Sequence, residues 1–219
     1  MLRWASLSLS LISAPVSACD IALLLAVDVS GSVDPMEYRV QMDGLAAGLR
    51  DGVVQEALVK AEAAVAVMQW TGEGRQEVSV PWTRVRNLAE VETLAQAVEA
   101  SPRAWAKYST AIGDALWRAA ELMEVAPKCR RQVIDVSGDG ISNEGRGPSE
   151  GRARLSKMGV TVNALVIETD EADLTGYFWE NVITGAGAFV VTANGFEDYP
   201  ARIRQKLIRE VAEQFAGTP

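Results

Sequence analysis

Apolar and polar positions alternate between two periods along this chain. Ile21 to Val27 (IALLLAV) is a continuous apolar run, as expected of a strand covered on both faces. Positions 34–50 then place Met36, Val40, Met42, Leu45, Ala46 and Leu49 at helical spacing, with Pro35 at the first helical position. A second strand-like run covers 61–70 (AEAAVAVMQW), followed by a turn at 71–75 with two glycines. Positions 77–82 (EVSVPW) alternate like the edge strand of a hairpin, where Pro81 is tolerated. Helical spacing returns at 88–100, a loop with two aromatics at 101–109, and a strongly periodic helix at 110–125 opened by Ser109-Thr110. The rest repeats the scheme: strand 132–136, a loop of turn formers at 137–145, helix 150–158, strand 160–168, an aromatic-rich helical or irregular segment at 174–183 and strand 188–193. A terminal amphipathic helix at 196–215 turns Ile203, Leu207, Ile208 and Val211 inward. The succession predicts an α/β fold, a doubly wound, mostly parallel six-stranded sheet with one antiparallel edge strand and helices on both faces.

The length of 219 residues fits one domain, and no repeat or interdomain linker interrupts it. The chain has no histidine, which removes Ser-His-Asp and Cys-His catalysis, histidine-ligated zinc and histidine acid–base chemistry. A net charge of −8 argues against nucleic acid and anionic lipid surfaces as partners. Arg3, the apolar positions 4–12 and Val16-Ser17-Ala18 have the order of a secretory signal and its cleavage site. Residues 1–18 are therefore expected to be a signal peptide and 19–219 a single exported domain, periplasmic or secreted. The apolar run is too short to span a bilayer, and no transmembrane segment is expected. Cys19 permits two readings. Val16-Ser17-Ala18-Cys19 resembles a lipobox, which would make Cys19 a lipid-anchored first residue; alternatively Cys19 pairs with Cys129, the other cysteine, in an oxidising compartment. Each cysteine stands nine or ten residues before an acid that ends a buried strand, Asp28 or Asp139, and that matched spacing favours the disulfide.

The first strand stops at Asp28-Val29-Ser30-Gly31-Ser32, one carboxylate and two hydroxyls at the carboxyl end of a strand, where ligands bind in open α/β sheets. Oxygen donors without nitrogen or sulfur suit a hard cation such as Mg²⁺. Two further segments add oxygens where this fold would bring them together: Thr110 at a helix start, and Asp139-Gly140 after the fourth strand.

These three elements, in this order, resemble the metal-ion-dependent adhesion site of von Willebrand factor type A domains, and the strand–helix succession is similar over the whole mature chain. Within that group, residues 25–32, 133–140 and 204–210 resemble a bacterial exported family of uncharacterised function. The resemblance implies a cation, Mg²⁺ with Mn²⁺ or Ca²⁺ as alternatives. Ser30 and Ser32 would bind it directly, Thr110 directly or through water, and Asp28 and Asp139 mainly through bound water. It also implies an open coordination position that an Asp or Glu of a protein partner fills, hence a binding module and not an enzyme. Neutral hydroxyl ligands leave the cation electrophilic enough to attract that carboxylate.

On the same face, Trp70, Trp105, Tyr108 and Asn143 are expected partner contacts, whereas Trp82, Trp117 and Trp179 are expected in the core. Asp135 is expected to be structural, bonding a nearby backbone, and Asp114 to be polar support. A plainer reading makes Ser30, Ser32 and Thr110 simple helix caps. A rival enzymatic reading takes Asp28 as the nucleophile of a haloacid dehalogenase-type phosphatase, but such sites need a second Asp two residues on, where this chain has Ser30. A third reading keeps the fold as a metal-free scaffold.

Overall fold

The computed structural model describes residues 19–169 and 173–212. In chain order the elements are β1 (Ile21–Asp28), α1 (Pro35–Leu49), α2 (Gly52–Lys60), β2 (Ala64–Trp70), β3 (Gln76–Arg84), α3 (Leu88–Glu99) and α4 (Ile112–Glu124). There follow β4 (Arg131–Gly138), α5 (Pro148–Lys157), β5 (Thr161–Ile167), α6 (Leu174–Asn181), β6 (Val190–Ala193) and α7 (Tyr199–Ala212). The strands form one six-stranded sheet in the order β3-β2-β1-β4-β5-β6, parallel except for β3, which runs antiparallel along the outer side of β2. The chain winds outward from β1 to β3 and then returns to β4 on the other side of β1. That reversal opens a crevice between the carboxyl ends of β1 and β4.

Strand β1 is buried along its whole length, and its alternate side chains serve two different cores. Ile21, Leu23, Leu25 and Val27 join residues of α1, α2, α3 and α7 on one face. Ala22, Leu24 and Ala26 meet Ala115, Ala119 and Ala120 of α4 on the other. Large side chains fill the first face, while facing alanines let α4 lie close to the sheet on the second.

Helix α2 is the one described element that the periodicity did not announce. It is short, starts at Gly52, and is held by the Asp51 carboxylate, which accepts from the backbone of Val53 (3.0 Å) and Val54 (3.4 Å). Only Arg50 and Asp51 separate it from α1, so the two helical patterns merge in sequence.

Cys19 and Cys129 form a disulfide. Neighbouring strands explain the match in spacing: Ile21 lies opposite Arg131 in the parallel β1–β4 pair, so both cysteines stand at the same end of the sheet. The sulfur that a lipid anchor at Cys19 would need is in this bond. Among the described residues, no helix is long and apolar enough to cross a membrane.

Helix α7 buries two charges that an amphipathic reading assigns to solvent. The Lys206 ammonium lies 2.6 Å from both Asp135 of β4 and Glu210 one turn along its own helix. Glu210 also accepts from the Asn163 amide at 3.0 Å. Asp135 is structural, as expected, but its partner is an ammonium and not a backbone group. Removing one member of a buried cluster strands the rest. Lys206→Met should therefore lower stability by about 3–5 kcal/mol in chemical denaturation, and Asp135→Asn with Glu210→Gln added should restore most of the loss. A Lys206→Met protein of unchanged stability would contradict this account.

Candidate functional site

Asp28 closes β1 and Asp139 follows β4, so the reversal of strand order sets the two carboxylates on either side of the crevice. Asp28 is fully buried; its Oδ1 accepts from the Ser30 backbone N–H at 2.7 Å, while its Oδ2 is sealed from solvent without a hydrogen-bond partner. The Ser30 and Ser32 hydroxyls lie 3.2 Å apart, and Ser32 donates to Asp139 Oδ1 at 2.8 Å. Ser32, Thr110 and Asp139 line a cleft of about 200 Å³ together with Gly140, Ile141, Asn143 and Thr169. The five residues singled out from sequence thus converge. Their hydroxyls are not helix caps: Asp34 and Glu37 form the capping box of α1, and α4 starts at Ala111 without a side-chain cap.

Three loops are locked together to hold this arrangement. Gly31 N–H donates to the Tyr108 carbonyl at 2.7 Å, and a Cβ at Gly31 would lie 3.0 Å from that oxygen, so the approach depends on glycine. Arg103 donates one Nη to the carbonyls of both Val29 (3.0 Å) and Ser30 (2.9 Å). Buried Gln69 fixes the backbone on either side of Arg103, donating to the Pro102 carbonyl and accepting from Ala104 N–H, each at 2.9 Å. Thr110 is tied to the third loop: its N–H donates to Asn143 Oδ1 and its carbonyl accepts from Asn143 N–H, both at 2.9 Å. Sequence reasoning missed Arg103 and Gln69. Gln69 left one signal, a lone amide inside an apolar strand.

The aromatic expectations divide. Trp70 is completely buried, with its ring against Gly138, and cannot meet a partner; the expectation that it would is corrected here. It belongs to the interior because β2 is covered on both faces up to its last residue. Trp105 is half-buried against the core on the α1 face. Tyr108 is exposed, with the Arg75 guanidinium 4.0 Å over its ring. Asn143 is exposed, but its side-chain oxygen is occupied in holding Thr110. Trp179, expected in the core, is 57% exposed; Trp82 is half-buried, as is Trp117, which lies under Arg146 and Arg154. Asp114 is polar support, accepting from Arg146 N–H at 2.8 Å.

Burial, reinforced by the charge of Asp139, pushes the Asp28 carboxyl up to about 8. Burial also raises Asp139, against the opposing hydrogen bond from Ser32. Two carboxylates brought together out of water repel, and a bound cation would relieve both the desolvation and the repulsion. The donor set fits such an ion: two carboxylates, one with an unpartnered oxygen, and three hydroxyls. Among the described residues no group of three or more Asp, Glu, Cys or His side chains is placed to hold an ion, so the fit here rests on hydroxyls beside two carboxylates.

The family model "Protein of unknown function (DUF1194)" matches residues 18–215, and the chain belongs to that family. No curated protein matches it. Among solved structures, the chain is similar to proximal thread matrix protein 1 from the mussel byssus with a zinc-occupied MIDAS motif. That match has 19% identity and a TM-score of 0.68, and covers 89% of this chain and 48% of the other. It is also similar to a von Willebrand factor type A protein from Catenulispora acidiphila, with 17% identity, a TM-score of 0.63, and coverage of 89% and 42%. A third match is the vWF domain of the type V pili tip protein Mfa5 from Porphyromonas gingivalis, with 10% identity, a TM-score of 0.64, and coverage of 92% and 97%. The chain spans about half the length of the mussel protein. The fold is that of von Willebrand A domains.

The raised carboxyls set the pH dependence. An acid that holds its proton more tightly when folded stabilises the protein at low pH, and that contribution is lost as pH climbs from the ordinary value of 3.8 toward the folded one. Asp28 does this up to about 8, and Asp135 in the α7 cluster, raised by burial to about 7, acts in the same sense. The ion-free protein should therefore lose thermal stability on moving from about pH 5 to about pH 8.5, and Asp28→Asn should remove the upper part of that loss. A cation held at this site would have to displace the Asp28 proton, so any Mg²⁺ affinity should rise by up to about tenfold per unit below pH 8, with proton release visible by calorimetry in buffers of different ionisation enthalpy. An affinity independent of pH would contradict this assignment.

Proposed function

We propose that this chain is a non-enzymatic, exported protein-binding module whose five oxygen-bearing residues hold a divalent cation. Asp28, Ser30, Ser32, Thr110 and Asp139 would hold the ion, which supplies an electrophilic position for a carboxylate from a protein partner. The observation that carries this reading is the convergence of two buried carboxylates and three hydroxyls at the crevice between β1 and β4, with Asp28 Oδ2 unpartnered. Oxygen donors and the absence of histidine favour a hard ion, Mg²⁺ first and Mn²⁺ or Ca²⁺ next. The zinc-occupied MIDAS motif of the mussel protein supports occupancy of a site on this fold by a divalent ion. The phosphatase reading loses ground because Asp28 is sealed from solvent, has its Oδ1 committed to Ser30 N–H, and has a serine where the acid would stand.

In this account residues 1–18 direct export and are removed, and 19–219 act as one domain in the periplasm or outside the cell. The Cys19–Cys129 disulfide supports an oxidising compartment. The partner presents an exposed Asp or Glu.

The test is a Mg²⁺ titration of the mature protein by calorimetry and thermal unfolding. The parent should bind and gain about 2.7 kcal/mol of stability at a hundredfold excess over Kd. Asp139→Ala and Ser30→Ala should fold and lose both effects. Equal Mg²⁺ binding by the parent and both folded variants, or no binding of Mg²⁺, Mn²⁺ or Ca²⁺ by the parent, would overturn the reading.

A further inference from the structure

The rim of the cleft is chemically lopsided. On one side, the α3–α4 loop leans over the Asp28–Ser32 segment, carrying Arg103, Lys107 and Tyr108, with Arg75 from the β2–β3 turn stacked on the Tyr108 ring at 4.0 Å. Lys107 is exposed and adopts a left-handed backbone, φ 65°, with its Cα 3.4 Å from where a Gly31 Cβ would stand. A lysine held in that conformation beside the loop is a strained placement of the kind that gathers at binding sites. On the other side stand Met36, 77% exposed at the start of α1, and Ile141, 40% exposed and lining the cleft itself.

Many cations elsewhere on the described surface are paired with carboxylates, although Arg86, Lys128, Arg152, Lys157 and Arg209 form no ion pair among the described residues. Arg39 pairs with Asp43, Arg50 with Glu92 and Glu99, Arg154 with Glu124 and Arg204 with Asp51. Arg75, Arg103 and Lys107 form no ion pair among the described residues, although the chain as a whole carries a charge of −8. Arg75 and Arg103 spend N–H groups on backbone carbonyls, those of Glu73 and of Val29 and Ser30, which leaves their charge uncompensated by a carboxylate in direct contact. Of the acids on neighbouring segments, Glu144 accepts from Glu73 N–H at 3.0 Å, Asp34 and Glu37 form the capping box of α1, and Glu73 is exposed in the same turn as Arg75.

We propose that this surface receives an acidic protein segment by two contacts: one carboxylate in the cleft, and a second acidic side chain, two residues along, on the Arg75–Lys107 rim. The inference rests on the cation-site reading above and adds a specificity element to it. The rim lies one loop-width from the cleft, since Tyr108 O bonds Gly31 N–H at the centre of the Asp28–Ser32 segment. Residues two apart in an extended segment share a face about 7 Å apart, so the metal-bound acid and a second acid two positions along can engage together. Charge complementarity of this kind discriminates between partners more than it adds raw affinity.

The probes are two acetylated, amidated peptides, Gly-Gly-Asp-Gly-Gly-Gly and Gly-Gly-Asp-Gly-Asp-Gly, titrated into the mature protein at saturating Mg²⁺ and followed by backbone NMR shifts. The peptide with paired acids should bind about fivefold more tightly, a preference that shrinks at high salt. Lys107→Glu should abolish the preference or reverse it, while leaving the Mg²⁺ affinity within about twofold of the parent, because exposed charges at this range are screened. Lys107→Gln should fall between the two. Equal binding of both peptides by Mg²⁺-loaded parent, no binding of either, or an undiminished preference in Lys107→Glu would overturn the proposal. Failure of Mg²⁺ itself to bind would instead strike the cation site and the rim with it, so the two readings fail in distinguishable ways.

Discussion

The constraint on which this molecule turns is the enforced closeness of Asp28 and Asp139. Strand order fixes it. β1 and β4 are parallel neighbours with Val27 opposite Ser137, so the residues that follow must emerge side by side. Burial raises both carboxyls, with the charge of Asp139 adding to the rise at Asp28, while Ser30 N–H donates to Asp28 and the Ser32 hydroxyl to Asp139. A sheet with continuous apolar strands on both sides of the crevice resists relaxing that arrangement. The tension is therefore held in the rigid centre of the fold and not in a loop that could move away.

Around this pair the surrounding loops are tied by hydrogen bonds to backbone. Arg103 and Gly31 bind the α3–α4 loop to the end of β1, Gln69 binds it to β2, and Asn143 binds Thr110 to the loop after β4. The Thr110 hydroxyl is consequently positioned by three segments distant in sequence, none of which relies on α4 for a cap. Opposite this face, the buried Lys206 cluster anchors α7 to β4, the strand that leads into Asp139. Contacts fixed along β4 at Asp135 and just beyond it at Asp139 leave the site preorganised.

Much of this was legible in the amino-acid pattern because parallel strands covered on both faces read as uninterrupted apolar runs, and their carboxyl ends are where site residues accumulate. Asp28, Ser30, Ser32, Thr110 and Asp139 could be found that way, and the disulfide followed from strand neighbours of matched length. Hydrophobicity alone misplaced Trp70 and Trp179. The first ends a strand with helices on both sides, and the second sits on a short helix with its buried face given to Leu174 and Phe178. Lys206 and Glu210 drew no reading of their own from the sequence, because periodicity marks only apolar positions as inward and their partner Asp135 lies far away in sequence. Arg103 acts through backbone carbonyls, a contact that residue type does not reveal. Short α2 vanished because its pattern runs on directly from α1.

The most direct test of the central claim is a crystal of the mature protein soaked in Mn²⁺ and measured for anomalous scattering. The account predicts one strong peak in the cleft, within coordination distance of the Ser30 and Ser32 hydroxyls and beside Asp28, Thr110 and Asp139. A map with no peak there at millimolar Mn²⁺, or with its peak on other carboxylates, would contradict it.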